Sequence, residues 1–135
     1  MYKMFILLCA ILLAGCANTG MFLATNQTNV ELSDANYNIV AANVTGESSA
    51  GYLIGVSAPF GATTGTFALV RVSGTGMLYR EAIENLWQQY SEKHGDIKGK
   101  KLALVNVRYD VDSINLILYT ESRLSIRADV VEFTN

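Results

Sequence analysis

The stretch MLYREAIENLWQQYSEK, residues 77–93, determines one half of the fold because its apolar side chains recur at helical spacing. Leu78, Ala82, Leu86 and Tyr90 follow one another at intervals of four, which places them on one face of an α-helix. A second apolar stripe adjoins that face and consists of Tyr79, Ile83 and Trp87. Thr75 before the stretch and Gly95 after it are typical of helix boundaries. The pattern predicts one amphipathic helix.

Three segments after the helix have the composition and alternation of β-strands. We expect these strands at residues 102–110, 113–121 and 123–133. The first is nearly continuous in apolar residues, which favours a central position in a sheet. The links between them, Val111-Asp112 and Ser122, are short, and short links favour an antiparallel meander.

The region before the helix contains two further strand candidates. They are residues 37–44 and 50–56, separated by a predicted turn at 45–49. Residues 57–76 are rich in glycine and contain the only proline of the chain. Within them we expect either a short strand or a docked loop at 66–72. This segment is also the predicted variable contact surface, because loops on a rigid frame carry contacts.

Together the elements predict an α+β domain of two layers over residues 30–135, a mostly antiparallel sheet with one main helix packed on one face. The chain has 135 residues, of which 50% are hydrophobic and 16% charged, with a formal net charge of −2. This length allows one domain. The weakly acidic balance, without a basic patch, argues against a nucleic-acid partner.

The N-terminus has the layout of a secretory signal. Lys3 precedes an apolar run of about ten residues, too short for a membrane span of roughly 20 residues. The run ends at Leu13-Ala14-Gly15-Cys16, which resembles the bacterial lipobox at every position. The resemblance implies cleavage after residue 15 and acylation of Cys16. A plain signal peptide and a buried N-terminal helix with a chance cysteine are the alternatives.

The cysteine count agrees with a lipid anchor. Cys9 lies in the segment that would be removed, so Cys16 would be the only cysteine of the mature chain. That excludes an internal disulfide and a Cys/His zinc site, and we expect no cofactor. Residues 16–29 are predicted to form a flexible tether. Residue 17 is Ala17 and not the aspartate that would resemble an inner-membrane retention signal, which favours the outer membrane. Residues 17–20 lack the acidic run that resembles a surface-export signal, so we expect the periplasmic side.

Three further stretches carry a family resemblance. They are Asn29-Val30-Glu31-Leu32-Ser33 with Asn36-Tyr37, then Val44-Thr45-Gly46-Glu47 with Ala50-Gly51-Tyr52-Leu53-Ile54-Gly55, and Ala128-Asp129-Val130-Val131-Glu132-Phe133. The chain resembles small Bacteroidetes-type lipoproteins with a single domain of unknown function. Its layout is similar to the TRL-like and YbjQ-like families. The resemblance implies an envelope lipoprotein without assigned catalytic residues.

Several residues are candidates for chemistry, each with a structural alternative. His94 is the only histidine, and a position near the helix end favours capping or plain exposure over catalysis. Asp110 and Asp112 can face the same way and hold Ca²⁺, but a polar hairpin turn is the simpler interpretation. Asp112-Ser113-Ile114 resembles an O-glycosylation site of secreted Bacteroidetes proteins, so Ser113 is a candidate for modification in an exposed turn.

Other features are weaker. Lys98, Lys100 and Lys101 can contact anionic lipid or glycan, or simply form a solvated turn. Gly74-Thr75-Gly76 can present backbone amides to an anion but lacks a phosphate-loop pattern. The helix aromatics can stack a sugar, although their spacing is more typical of core.

Two functions follow from these residues. The first is a non-enzymatic envelope lipoprotein, anchored to the membrane through Cys16, that binds an envelope protein or a second copy of itself. The second is an envelope carrier of a small ligand or metal ion in a pocket between helix and sheet. We expect no catalytic residues and no metal ligands in the first case.

Overall fold

The computed structural model of the chain describes residues 21–26, 36–60, 63–116 and 118–134. The strands are β1 (Met21–Asn26), β2 (Tyr37–Phe60), β3 (Thr63–Ser73), β4 (Leu102–Asn115) and β5 (Tyr119–Phe133), and the helix is α1 (Leu78–His94). The described strands form one five-stranded sheet in the order β1-β4-β5-β2-β3, with every neighbouring pair antiparallel. The prediction of a mostly antiparallel sheet with one helix is confirmed.

Helix α1 has the predicted position and buried face. Its buried residues are Leu78, Ala82, Leu86 and Tyr90. Gly95 ends it with φ of 83°, a left-handed conformation that favours glycine, and donates its N–H to the Ser91 carbonyl at 2.9 Å. Thr75 is not the N-cap residue, which is Met77. The Thr75 hydroxyl instead accepts the Met77 N–H at 3.2 Å from outside the helix.

One buried cluster unites α1 with the middle strands. Its members are Ala50, Leu78, Ala82, Leu86, Val107, Tyr109, Val111, Leu124, Ile126 and Ala128. On β4 and β5 these residues alternate, so their neighbours in sequence face the other side of the sheet. The core of the protein therefore contains side chains of α1, β2, β4 and β5.

The predicted turn at residues 45–49 is wrong. Strand β2 runs through it without interruption for 24 residues and pairs there with β5. Gly46 explains the error, because its role is contact rather than turning. A Cβ atom at Gly46 would overlap the Ala82 carbonyl oxygen and lie 2.5 Å from the Leu86 nitrogen. Glycine is needed here for close approach of the helix backbone.

The described residues after the helix form two strands, where three were predicted. Strand β4 continues through residues 111–112, and β5 continues through Ser122, so neither position is a link. Val111 is fully buried between two aspartates that face away from the core, which is strand alternation rather than a turn. The chain reverses instead between Asn115 and Tyr119. The apolar side chains of Leu116 and Leu118 resemble a strand in the sequence, but both are exposed.

Residues 21–26 lie inside the predicted tether but form β1. Met21 pairs with Ser113 and Asn26 with Arg108, so β1 is an edge strand beside β4. The flexible-tether interpretation is therefore wrong for these residues. The sheet begins only five residues after Cys16, which itself lies outside the described residues.

Residues 57–76 contain a long strand rather than loops. The second half of β2 forms a hairpin with β3, in register from Leu53↔Val70 to Phe60↔Thr63. Ile54 has φ of 50° at the start of this hairpin. Strand β2 also contacts β4 and β1, with which it does not pair. The hairpin part of β2 contacts β4 through Ser57, which is hydrogen-bonded to Asn115.

Candidate functional site

The hairpin presents a row of large apolar side chains to the outside. We call residues 54–60 together with 63–70 the apolar hairpin. Its outward row comprises Ile54 (55% exposed), Val56 (64%), Phe60 (67%), Phe67 (83%) and Leu69 (70%). Val56 and Phe67 are direct cross-strand partners, so they share a face. The row is a contiguous exposed apolar surface of the kind that marks an interaction site.

The inner face of the apolar hairpin is small and polar. Ser57 is 1% exposed, and its hydroxyl lies 2.8 Å from that of Thr66, its cross-strand partner. Pro59 is also buried on this side. The polarity of the hairpin is thus reversed relative to an ordinary surface hairpin, with hydroxyls inside and aromatic and aliphatic groups outside.

Hydrogen bonds fix this inner face against the sheet. The Ser57 N–H donates to Asn115 Oδ1 at 2.8 Å, and Asn115 Nδ2 donates to the Ser57 carbonyl at 3.0 Å. The Thr120 hydroxyl donates to the Gly55 carbonyl at 2.7 Å. These hydrogen bonds fix the hairpin backbone relative to the sheet, and they thereby fix the outward orientation of the apolar row.

The apolar hairpin differs from other parts of the protein in that it contains no charged residue. Residues 53–70 contain no Asp, Glu, Lys, Arg or His. The turn after the helix, in contrast, carries Asp96, Lys98, Lys100 and Lys101. An uncharged surface loses no ionic hydration when it is covered, which suits an apolar environment.

A cavity of about 360 Å³ lies beside the hairpin at the N-terminal end of α1. Its lining residues are Thr64, Gly76, Met77, Leu78, Tyr79, Arg80, Val111 and Leu124. Ser113 and Ser122 face each other two residues further along β4 and β5. Both are fully buried, and neither hydroxyl has a hydrogen-bond partner within the described part of the chain. The cavity is mainly apolar, with one guanidinium at its rim.

The interpretation of Ser113 as an exposed turn residue is wrong. Ser113 lies within β4, pairs with both Met21 and Ser122, and is 0% exposed. A modifying enzyme needs an accessible backbone, which the folded sheet does not provide here. O-glycosylation of Ser113 stays an untested prediction that this position does not favour.

His94 lies where the capping hypothesis placed it. Its ring stacks on Tyr90 with centroids 4.6 Å apart, and Nδ1 is 3.2 Å from the Tyr90 carbonyl oxygen. Tyr90 also meets Trp87 edge to face at 5.9 Å. The helix aromatics thus pack on one another, and Tyr79 alone among them is exposed.

The other sequence candidates are accounted for by structural contacts. Asp110 lies in β4, 3.9 Å from Arg127, rather than in a turn with Asp112. The Thr75 N–H, a candidate anion donor, donates to Glu81 Oε1 at 3.0 Å. In the described residues no group of three or more His, Cys, Asp or Glu side chains is placed to hold a metal ion.

One carboxylate with two hydrogen-bond partners, Asp129, was not foreseen from the sequence. Asp129 on β5 accepts the Asn43 backbone N–H at 2.9 Å with Oδ1 and the Asn106 side-chain amide at 2.9 Å with Oδ2. Both asparagines have φ of 53° and lie where strand register shifts. The hydrogen bond from Asn106, followed by that from Asn43, lowers the pKa of Asp129 below its usual value. Asp129 thus links bulges in both flanking strands.

Residues 57–76 were predicted as a contact surface, but the hairpin and its outward apolar row were not, although their signal is in the sequence. Val56, Phe60, Phe67 and Leu69 alternate with small or hydroxyl side chains at a period of two. The glycines and threonines between them favoured a loop interpretation. Their function in the structure is to form the inner face.

In its described residues the chain is a small domain with one antiparallel sheet, one helix and an outward apolar hairpin. The chain belongs to the family of unknown function DUF6567, which it matches over residues 1–135. The expected single domain of unknown function is therefore confirmed. No curated protein and no solved structure matches the chain. No helix in the described part of the chain combines the length and apolar character of a membrane span.

Proposed function

We propose that this protein is a lipid-anchored bacterial envelope protein, held to the membrane through Cys16, that acts as a non-enzymatic binding or assembly module. One observation carries the proposal. Leu13-Ala14-Gly15-Cys16 ends a short apolar run preceded by a single lysine, the pattern of a lipoprotein signal. An acylated Cys16 with several chains would anchor the protein firmly.

The start of the sheet adds geometry to this proposal. Met21 is the first residue of β1, so five residues span at most about 18 Å between an acylated Cys16 and the domain. A folded domain so close to its anchor works at the membrane surface. We propose that the domain has two layers, with α1 packed over the sheet. We also propose that it lies on the periplasmic side of the outer membrane.

The proposed activity is contact rather than catalysis. Polar groups that are candidates for chemistry already engage the protein itself, as His94 and Asp129 do. The apolar hairpin is an exposed, uncharged surface, which suits contact rather than chemistry. The partners proposed here are an envelope protein or a second copy of the chain.

Intact mass and membrane fractionation of the native protein test the anchor. We expect a chain that begins at Cys16, carries three acyl groups and sediments with outer membranes. Cys16→Ser should abolish both the added mass and the sedimentation. Cys9→Ser is the matched control, since its cysteine lies in the removed segment and lipidation should persist. An unmodified Cys16 in the native protein would refute the proposal.

A small-ligand carrier is the second candidate function. The cavity beside Met77 and Leu124, at about 360 Å³, falls within the size range of ligand pockets. Native mass spectrometry of protein purified from its own membranes should then reveal a co-purifying molecule. Met77→Trp would fill the cavity and remove that molecule, whereas Ile39→Trp, distant on β2, would not. A wild-type protein without a bound molecule counts against a carrier.

A further inference from the structure

We propose that the apolar hairpin lies on the lipid bilayer and serves as a second membrane contact beside the acylated Cys16. The inference rests on the proposed lipid anchor. It assigns the outward row of β2 and β3 to an occupant of stated chemistry, the acyl and glycerol region of the membrane surface.

The first argument is the polarity of the hairpin. Its inner face carries the bonded hydroxyls of Ser57 and Thr66, with Val70 at its base. Its outer face carries large apolar groups, with Phe67 83% exposed and Leu69 70% exposed. Water is a poor solvent for that outer face, while a bilayer interface is a good one. Because residues 53–70 carry no charge, burial in lipid requires no ion to be dehydrated.

The second argument is the distance to the anchor. Strand β1 runs antiparallel to β4 with Met21 opposite Ser113, so the first residue of β1 lies at the end of the sheet that carries the β4–β5 turn. The hairpin leaves the sheet beside that same turn, where the Ile54 N–H donates to the Leu118 carbonyl at 3.0 Å. An acylated Cys16 lies at most about 18 Å from Met21. The first residue of β1 and the base of the hairpin are therefore at the same end of the sheet.

The third argument is the turn between them. Leu116 and Leu118 are exposed at the β4–β5 turn, 39% and 68% respectively, and extend the apolar surface from the hairpin toward β4. The charged turn with Lys98, Lys100 and Lys101 follows the opposite end of α1. A membrane held by Cys16 faces the apolar end of the domain, with the lysine turn pointing away from it.

Thiol protection in proteoliposomes tests the inference. Phe67→Cys and Leu69→Cys place single reactive thiols on the outward row, because an acylated Cys16 has no free thiol. Ile39→Cys is the matched control, with a similarly exposed side chain (60%) in the first half of β2. Each labelling rate with a membrane-impermeant maleimide is divided by the rate in the urea-unfolded chain. Vesicles contain phosphatidylethanolamine and phosphatidylglycerol.

We expect positions 67 and 69 to react at least tenfold more slowly than position 39, at every protein-to-lipid ratio. Equal rates in a chain whose mass shows acylated Cys16 would overturn the inference while leaving the anchor intact. Protection that fades when the protein is diluted in lipid would assign the surface to a second copy and also overturn it. Failure of the anchor itself is recognised separately, from the intact mass.

Discussion

The first half of β2 and the apolar hairpin use the same strand in opposite ways. In the first half, the side chains that face α1 are small, namely those of Gly46, Ser48 and Ala50. The helix can therefore approach the strand closely, and the core lies on that side. In the hairpin, small residues again face the protein, but the large apolar ones face outward. A period of two therefore tells which residues share a face, and does not tell which face is buried.

The largest contrast is expected from leucine truncation. Leu86 is 0% exposed in the core, so Leu86→Ala should lower the free energy of unfolding by about 3–4 kcal/mol. Leu69 on the outward row should tolerate the same change within about 0.5 kcal/mol. Urea unfolding of the protein without its signal segment measures both. A large loss from Leu69→Ala would show that the hairpin has an apolar core of its own.

Alanine in place of glycine sharpens the same contrast. At Gly46 the new Cβ would meet backbone atoms of α1, and we expect a loss of about 2–3 kcal/mol. At Gly65 it would lie 2.7 Å from Cε2 of the exposed Phe60 ring, which can turn aside. Gly65→Ala should therefore cost less than about 1 kcal/mol. Equal losses in thermal or urea unfolding would mean that the hairpin is packed as tightly as the helix contact.

Lowering the pH should distinguish the first half of β2 from the apolar hairpin, because residues 53–70 contain no ionisable side chain. The folded pKa of Asp129 is lowered from 3.8, so its stabilising effect is present above that pH. The effect is lost as pH falls through the folded pKa. Asp129→Asn should reduce stability at pH 7 by about 1–2 kcal/mol and flatten the decline below pH 4.

Asn106→Gly provides the control for this carboxylate. Glycine adopts the positive φ of Asn106 without strain but removes the amide that donates to Asp129. Asn106→Gly should change the pH dependence of stability in the same direction as Asp129→Asn, but by a smaller amount. Wild-type pH dependence in both variants would exclude Asp129 as the titrating group.

Serine to alanine changes should give the smallest effects. Ser48 donates its hydroxyl to the Leu78 carbonyl at 2.6 Å, so Ser48→Ala should destabilise by about 1 kcal/mol. Ser113→Ala removes a buried hydroxyl without a partner in the described residues and should be neutral or slightly stabilising. Thermal melting of the two variants checks the difference in sign. Destabilisation by Ser113→Ala would reveal a contact that this hydroxyl makes.

The sequence predicts the elements whose signals are local. Helix α1 is correct within a residue at each end, because four buried side chains repeat at its period and Gly95 stops it. The antiparallel character of the sheet is also correct. Both follow from interactions among residues near one another in the chain.

The errors arise where a residue is chosen for a distant contact. Gly46 appears to end a strand but accommodates Ala82 and Leu86, 36 or more positions later. Leu116 and Leu118 appear to continue a strand but occupy a turn. The outward row of the hairpin was hidden for the same reason, since its environment is not encoded by alternation alone. Cys16 lies outside the described residues, so its lipidation stays a prediction.

The strand order has a consequence for the secretion that the proposed lipoprotein signal implies. Strand β5 follows every other described strand along the chain, yet it is the central strand, between β4 and β2. A chain threaded through a secretion channel from its N-terminus exposes β1 and β2 before either has its partner. The centre of the sheet assembles only when the segment Tyr119–Phe133 has emerged. Topology thus opposes premature folding, which would keep a secreted chain unfolded until its translocation is nearly complete.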